Sequence, residues 1–133
     1  MKKEIKKKWV KALRSGKYKQ GRGELREEDR FCCLGVLCDL SKLGEWEEYN
    51  RMDHSFHYLI EGQPYEEDAD GCLPNAGYLP KPVAEWAGMK TVKGQLKNNS
   101  RYTHKIGNTL ALLNDSGKSF KEIADIIEKD LVL

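Results

Sequence analysis

Two adjacent thiols, Cys32 and Cys33, open the most apolar run of the chain, FCCLGVLC over residues 31 to 38. A helix starting there would set its positive end beside them, and a helix dipole lowers a thiol pKa toward the nucleophilic thiolate. Such a nucleophile also needs a general base, for which His57 or His104 is the candidate. Desolvation works the other way, because an apolar setting penalises a charged sulfur. The composition around Cys33 therefore favours core packing over catalysis by Cys33 and His57.

Other reactive side chains do not converge in the sequence. Zinc needs four Cys or His ligands, yet Cys32, Cys33 and Cys38 contain no Cys-x-x-Cys, and Cys72 and the three histidines are scattered. We expect no metal and no cofactor. Glu66, Glu67, Asp68 and Asp70 supply carboxylates, but on one polar stretch where nothing predicts the burial that raises a carboxyl pKa for acid catalysis. That stretch reads as a solvated loop.

The best candidate binding surface is basic. Tyr18, Gln20, Arg22, Arg26 and Arg30, with Lys17 and Lys19 between them, combine planar guanidinium forks that grip phosphates with a ring able to stack on a base. Residues 1 to 30 hold twelve Lys or Arg against five acids, whereas residues 39 to 70 hold ten acids against two bases. The competing expectation is that these two stretches face and neutralise each other.

The elements that must position these groups follow from spacing. Ile5, Trp9, Ala12 and Leu13 form one helical stripe ended by Gly16. Residues 18 to 26, with Gly21 and Gly23, predict a hairpin or an extended loop. Cys32 to Ser41 is apolar on nearly every face, as a buried helix is, with Phe31, Leu34, Val36, Leu37, Cys38 and Leu40 in the core and Gly35 admitting a close neighbour.

Residues 46 to 49 and 56 to 60 are strand candidates, with Gly62, Pro64 and Gly71 as turn residues. A short helix entered through Pro80 and Pro82 carries Val83, Trp86 and Ala87 on its apolar side. Thr91 to Lys97 is a further strand candidate, and residues 98 to 100 a turn. Ile106, Leu110 and Leu113 predict a helix stopped near residues 114 to 117. Ser119 and Glu122 then have capping-box spacing ahead of Phe120, Ile123, Ala124 and Ile127. The last two segments resemble the first two helices of a helix-turn-helix, but the groove-reading helix that should follow has no room before Leu133, which argues against DNA binding.

At 133 residues the expectation is one domain, residues 1–133. It is α+β, with a buried central helix, a small antiparallel sheet and flanking terminal helices. No apolar run reaches about 18 residues, and the lysine-rich start has no apolar stretch behind it, so neither a membrane nor a secretory route is predicted. In a cytoplasm the cysteines stay as thiols.

The blocks ALRSGKYKQGRGELR (12 to 26), DRFCCLGVLCDL (29 to 40), LPKPVAEWAG (79 to 88) and LALLNDSGKSFKEIADIIE (110 to 128) resemble a family of small uncharacterised proteins of tailed phages and prophages. The resemblance implies a viral accessory protein in a bacterial cytoplasm and carries no functional residue with it. The function expected is non-catalytic binding of a host component, with a phosphate-bearing nucleotide signal as the specific ligand, in counter-defence. The alternatives are a cysteine hydrolase, since a Cys opening a helix with a His arriving later is similar to the papain-like layout, and a protein-binding inhibitor of a host enzyme.

Overall fold

The computed structural model describes residues 1–63, 76–97, 109–130 and 133. Among them are five helices and a five-stranded mixed sheet, forming a single-domain α+β fold. Pro64, Gly71, Cys72, the acidic run 66–70, the turn 98–100, His104 and Ile106 lie outside the described residues.

Helix α1, Lys3–Arg14, buries Ile5, Trp9, Val10 and Leu13 along the predicted stripe, with Val10 replacing the half-buried Ala12. It packs on α5, Phe120–Lys129, and on α2, Cys33–Ser41. The Trp9 indole donates to the Cys33 carbonyl at 2.9 Å, so the one polar atom of the largest core side chain is satisfied inside the protein.

Helix α2 is the centre of the domain. Cys33, Leu34, Val36, Leu37 and Cys38 are fully buried, and only Leu40 of the expected set, with Phe31 just before the helix, reaches partial exposure. Gly35 is required by contact: a Cβ there would lie 1.9 Å from the Leu25 carbonyl oxygen. Backbone therefore packs directly on backbone where the chain enters the helix.

Three two-residue strands surround that entry: β1, Lys19–Gln20, β2, Arg26–Glu27, and β3, Arg30–Phe31. The hairpin lies between β2 and β3, through Glu28 at φ 52°, and not across Gly21 and Gly23. β1 instead runs parallel to β3, pairing Lys19 with Arg30 and Gln20 with Phe31. This corrects the wholly antiparallel expectation. Its cause is that the backbone between β1 and β2 bonds elsewhere: Gly23 N–H donates to Asp115 and Leu25 N–H to the Ala76 carbonyl.

The two strand candidates form β4, Glu45–Asn50, and β5, Ser55–Leu59, which pair antiparallel and complete the order β1-β3-β2-β5-β4. Helix α3, Lys81–Ala87, enters through its prolines and ends at Gly88 with φ 70°, burying Val83, Ala84 and Ala87 while Trp86 stays half-buried. The strand expected over 91 to 97 reduces to one bridge, Gln95 with Thr109. There the Gln95 N–H turns back to the Thr91 hydroxyl and the Gly94 carbonyl accepts from Leu110 N–H, so no continuous ladder forms.

Helix α4, Leu110–Asp115, starts at Thr109, whose hydroxyl accepts from Leu112 N–H. The capping box of α5 is present in both directions, from Ser119 to Glu122 and back. Among the described residues no helix is long and apolar enough to cross a membrane.

Candidate ligand-binding surface around Arg26

The pairing register places Arg26 of β2 directly between Phe31 of β3 and Phe56 of β5, on one face of the sheet. Its guanidinium carbon lies 4.2 Å from the Phe56 ring centroid, 5.3 Å from that of Phe31 and 5.7 Å from that of Trp46. Nε donates to the Glu28 carbonyl at 2.8 Å, which orients the fork. The terminal nitrogens make no hydrogen bond or ion pair with any described residue.

Those rings are held from behind. Tyr18, Phe31, Trp46 and Tyr58 form a row with successive centroids 5.2, 5.7 and 4.9 Å apart. Asp39, on the last turn of α2, accepts from the Tyr18 hydroxyl at 2.6 Å and the Trp46 indole at 3.1 Å. Desolvation, reinforced by the bond to Asp39, raises the Tyr18 pKa and keeps its hydroxyl a donor. Tyr58 accepts from the Gly44 N–H at 2.7 Å, tying the far end of the row to β4.

The five predicted binding residues do not form one face. Tyr18 is committed to Asp39. Gln20 is committed twice over: Nε2 donates to Asn114 Oδ1 and to the Lys118 carbonyl, and Oε1 accepts from Phe120 N–H. Arg30, paired with Glu27 and Lys19, sits on the sheet face opposite Arg26. Arg22 is exposed beside the α4–α5 turn, its guanidinium 3.6 Å from where a Gly117 Cβ would stand. Arg26 is thus the one basic residue of the segment that the fold builds into an aromatic frame, while Arg22 and Arg30 are exposed elsewhere.

Among the described residues, which leave out the acids of 66 to 70, no Lys or Arg of residues 1 to 30 forms an ion pair with an acid of 39 to 63. Lys19 pairs with Asp29 at 2.8 Å and Arg14 with Asp125 and Glu128 at 2.6 and 2.9 Å, all outside that stretch. The Lys19 ammonium, through its bond to the carboxylate, holds the Asp29 pKa below its ordinary value.

This fold assigns Cys33 a packing position. Cys33 is fully buried, its thiol is directed to the Leu110 carbonyl at 3.7 Å, and desolvation pushes its pKa well up. The neighbouring Cys32 thiol is pushed up to about 12 by the same cause, although it accepts from Gly35 N–H at the helix start. His57 belongs to a different environment, packed 5.5 Å from the Tyr49 ring with Nε2 3.9 Å from Glu47 Oε1. Neither of its buried nitrogens has a hydrogen-bond partner. Among the described residues no three His, Cys, Asp or Glu side chains are grouped to hold a metal ion.

The sequence model of one family matches residues 1–131, nearly the whole chain. The chain belongs to that family, a domain of unknown function, DUF8296. No curated protein and no solved structure matches it. The family thus comes without an assigned reaction or ligand, and the chemistry of this DUF8296 domain is read from its own side chains.

Two residues central to this geometry escaped the sequence reading. The spacing predicts only a helix stop near Asn114, and assigns Asp39 no role. Both are acceptors for donors outside their own helical turn, Gln20 and Cys33 for the first, Tyr18 and Trp46 for the second. The only local sign was a polar side chain at helical spacing with an apolar face, since Asn114 follows Leu110 by four residues.

Proposed function

We propose that this chain is a non-catalytic phage accessory protein of the bacterial cytoplasm. Its ligand is phosphate-bearing, a nucleotide signal of the host whose capture serves counter-defence. The observation that supports the reading is the Arg26 fork. It is stacked on Phe56, framed by Phe31 and Trp46, and its terminal nitrogens are unengaged by described residues. A guanidinium oriented this way matches two phosphate oxygens at once, and the flanking rings favour a ligand that also carries a planar base. The cysteine hydrolase alternative draws no support from a Cys33 that is fully buried with its thiol on a backbone carbonyl.

The test is thermal denaturation in the presence of mono-, di- and cyclic nucleotides, run in parallel with Arg26→Lys. That change keeps the charge and removes the fork. A ligand at one hundred times its Kd stabilises the folded chain by about 2.7 kcal/mol, and the variant should lose most of that gain. If no phosphorylated ligand raises the melting temperature at millimolar concentration, the reading fails.

A further inference from the structure

A groove of about 850 Å³ runs along the outer side of α1 and past the end of α5, away from the Arg26 surface. Its floor is apolar, made by half-buried Met1 and the methylene stems of flanking lysines over the buried Val10 and Leu133. Lys3, Lys7 and Lys11 stand along it at four-residue intervals, so their ammonium groups form a row parallel to the helix, about 6 Å apart along the axis. All three are exposed and have no ion-pair partner among the described residues.

The other charges at the groove are already used. Arg14 is paired with Asp125 and Glu128, and Lys6 donates to the Asp130 carbonyl. What remains is a row of three lysines without ion-pair partners among the described residues, beside an apolar trough; Glu4 on the same helix is exposed and unpaired too, so the cations outnumber it three to one.

We propose that this groove docks an acidic amphipathic helix of a partner protein. Such a helix would lay its apolar face on Met1 and the lysine stems that cover Val10 and Leu133, and set carboxylates, spaced three or four residues apart, against Lys3, Lys7 and Lys11. Charge complementarity selects the partner, because a neutral or basic helix meets the same trough with three unpaired or repelled ammonium groups. The surface is separate from the one proposed for the phosphate-bearing ligand, so either proposal can fail without the other.

The probe is a synthetic helix of about four turns with leucines on one face and glutamates flanking them. A scrambled peptide of the same composition is the control. Binding is followed by fluorescence anisotropy, and its location by amide NMR shifts of the full chain. The designed helix should saturate, move the amides of α1 and Leu133 while leaving Arg26 unmoved, and bind about tenfold or more tighter than the scrambled peptide. Charge reversal in Lys3→Glu, Lys7→Glu, Lys11→Glu together should weaken it about tenfold or more. The matching Lys→Gln triple variant serves if reversal disturbs folding, and circular dichroism verifies both. No saturation, equal affinity for the scrambled peptide, undiminished binding by the reversed chain, or shifts elsewhere would each overturn the proposal. So would stronger binding to phosphatidylglycerol vesicles than to the helix, or a dimer that buries this face in sedimentation.

Discussion

The side-chain oxygen of Asn114 accepts the backbone N–H of Cys33 at 3.1 Å, so a residue of α4 satisfies the first turn of the central helix. Asn114 is fully buried, and its remaining capacity goes to the segment around β1: Oδ1 also accepts from Gln20 and Nδ2 donates to the Gly21 carbonyl. One carboxamide thereby joins α2, α4 and the β1 region. Removing it leaves several polar groups unpaired away from water, each costing about 1–3 kcal/mol.

We therefore expect Asn114→Ala to destabilise the domain by about 2–4 kcal/mol in urea denaturation. Asn114→Asp keeps the acceptor but turns a donor into a second acceptor facing the Gly21 carbonyl, and should not restore stability at neutral pH. A loss under about 1 kcal/mol for Asn114→Ala would mean that this carboxamide is not the joint described.

Gly35 sets a second limit. An added Cβ would lie 1.9 Å from the Leu25 oxygen and 2.8 Å from its carbonyl carbon, and these are backbone atoms that cannot rotate away. Gly35→Ala should thus cost about 3 kcal/mol despite the better helix propensity of alanine, where propensity alone predicts a gain of about 1 kcal/mol. Gly16, at φ 76° with nothing within 4 Å of a would-be Cβ, carries only the backbone penalty, and Gly16→Ala should be the milder change in the same assay.

These two positions also mark where sequence reasoning works and where it stops. Gly35 was legible because a glycine inside an apolar helix has few reasons to be there other than close approach. The capping box of Ser119 and Glu122 and the stripe of α1 were legible because they are local and periodic. The parallel pairing of β1 with β3 was not, since two-residue strands carry no alternation to read and their register is decided by bonds from Gly23 and Leu25 to distant partners. Gln20 and Tyr18 have side-chain types that suit ligand binding as well as internal bracing. Only the positions of Asn114 and Asp39 distinguish the two roles.

Thiol chemistry gives a further expectation. Desolvation raises the pKa values of Cys32, Cys33 and Cys38, and all three side chains are buried. Alkylation by iodoacetamide at neutral pH, mapped by mass spectrometry to each peptide, should be slow at these three positions in the folded chain and fast in urea. Rapid native labelling of Cys33 would remove its assignment to the core.

The last expectation concerns pH. Glu24 accepts the Tyr49 hydroxyl at 2.5 Å, and its pKa is raised from 4.5, by desolvation first and then by the nearby charges of Asp53 and Glu27, with the Tyr49 and Ser55 bonds opposing. A carboxyl whose folded pKa exceeds its unfolded one binds its proton more tightly in the native state. Its contribution to stability is therefore complete below pH 4.5 and fades as pH rises through the folded value. Glu24→Gln cannot ionise, yet it keeps an oxygen for the Tyr49 hydroxyl. The variant should match the parent protein's unfolding free energy near pH 4 and exceed it at pH 7, with the difference growing across the interval and then levelling. Because Glu24 is partly exposed, solvent screening limits the gain. A difference that stays constant between pH 4 and pH 7 would show that burial of the charge at Glu24 does not oppose folding.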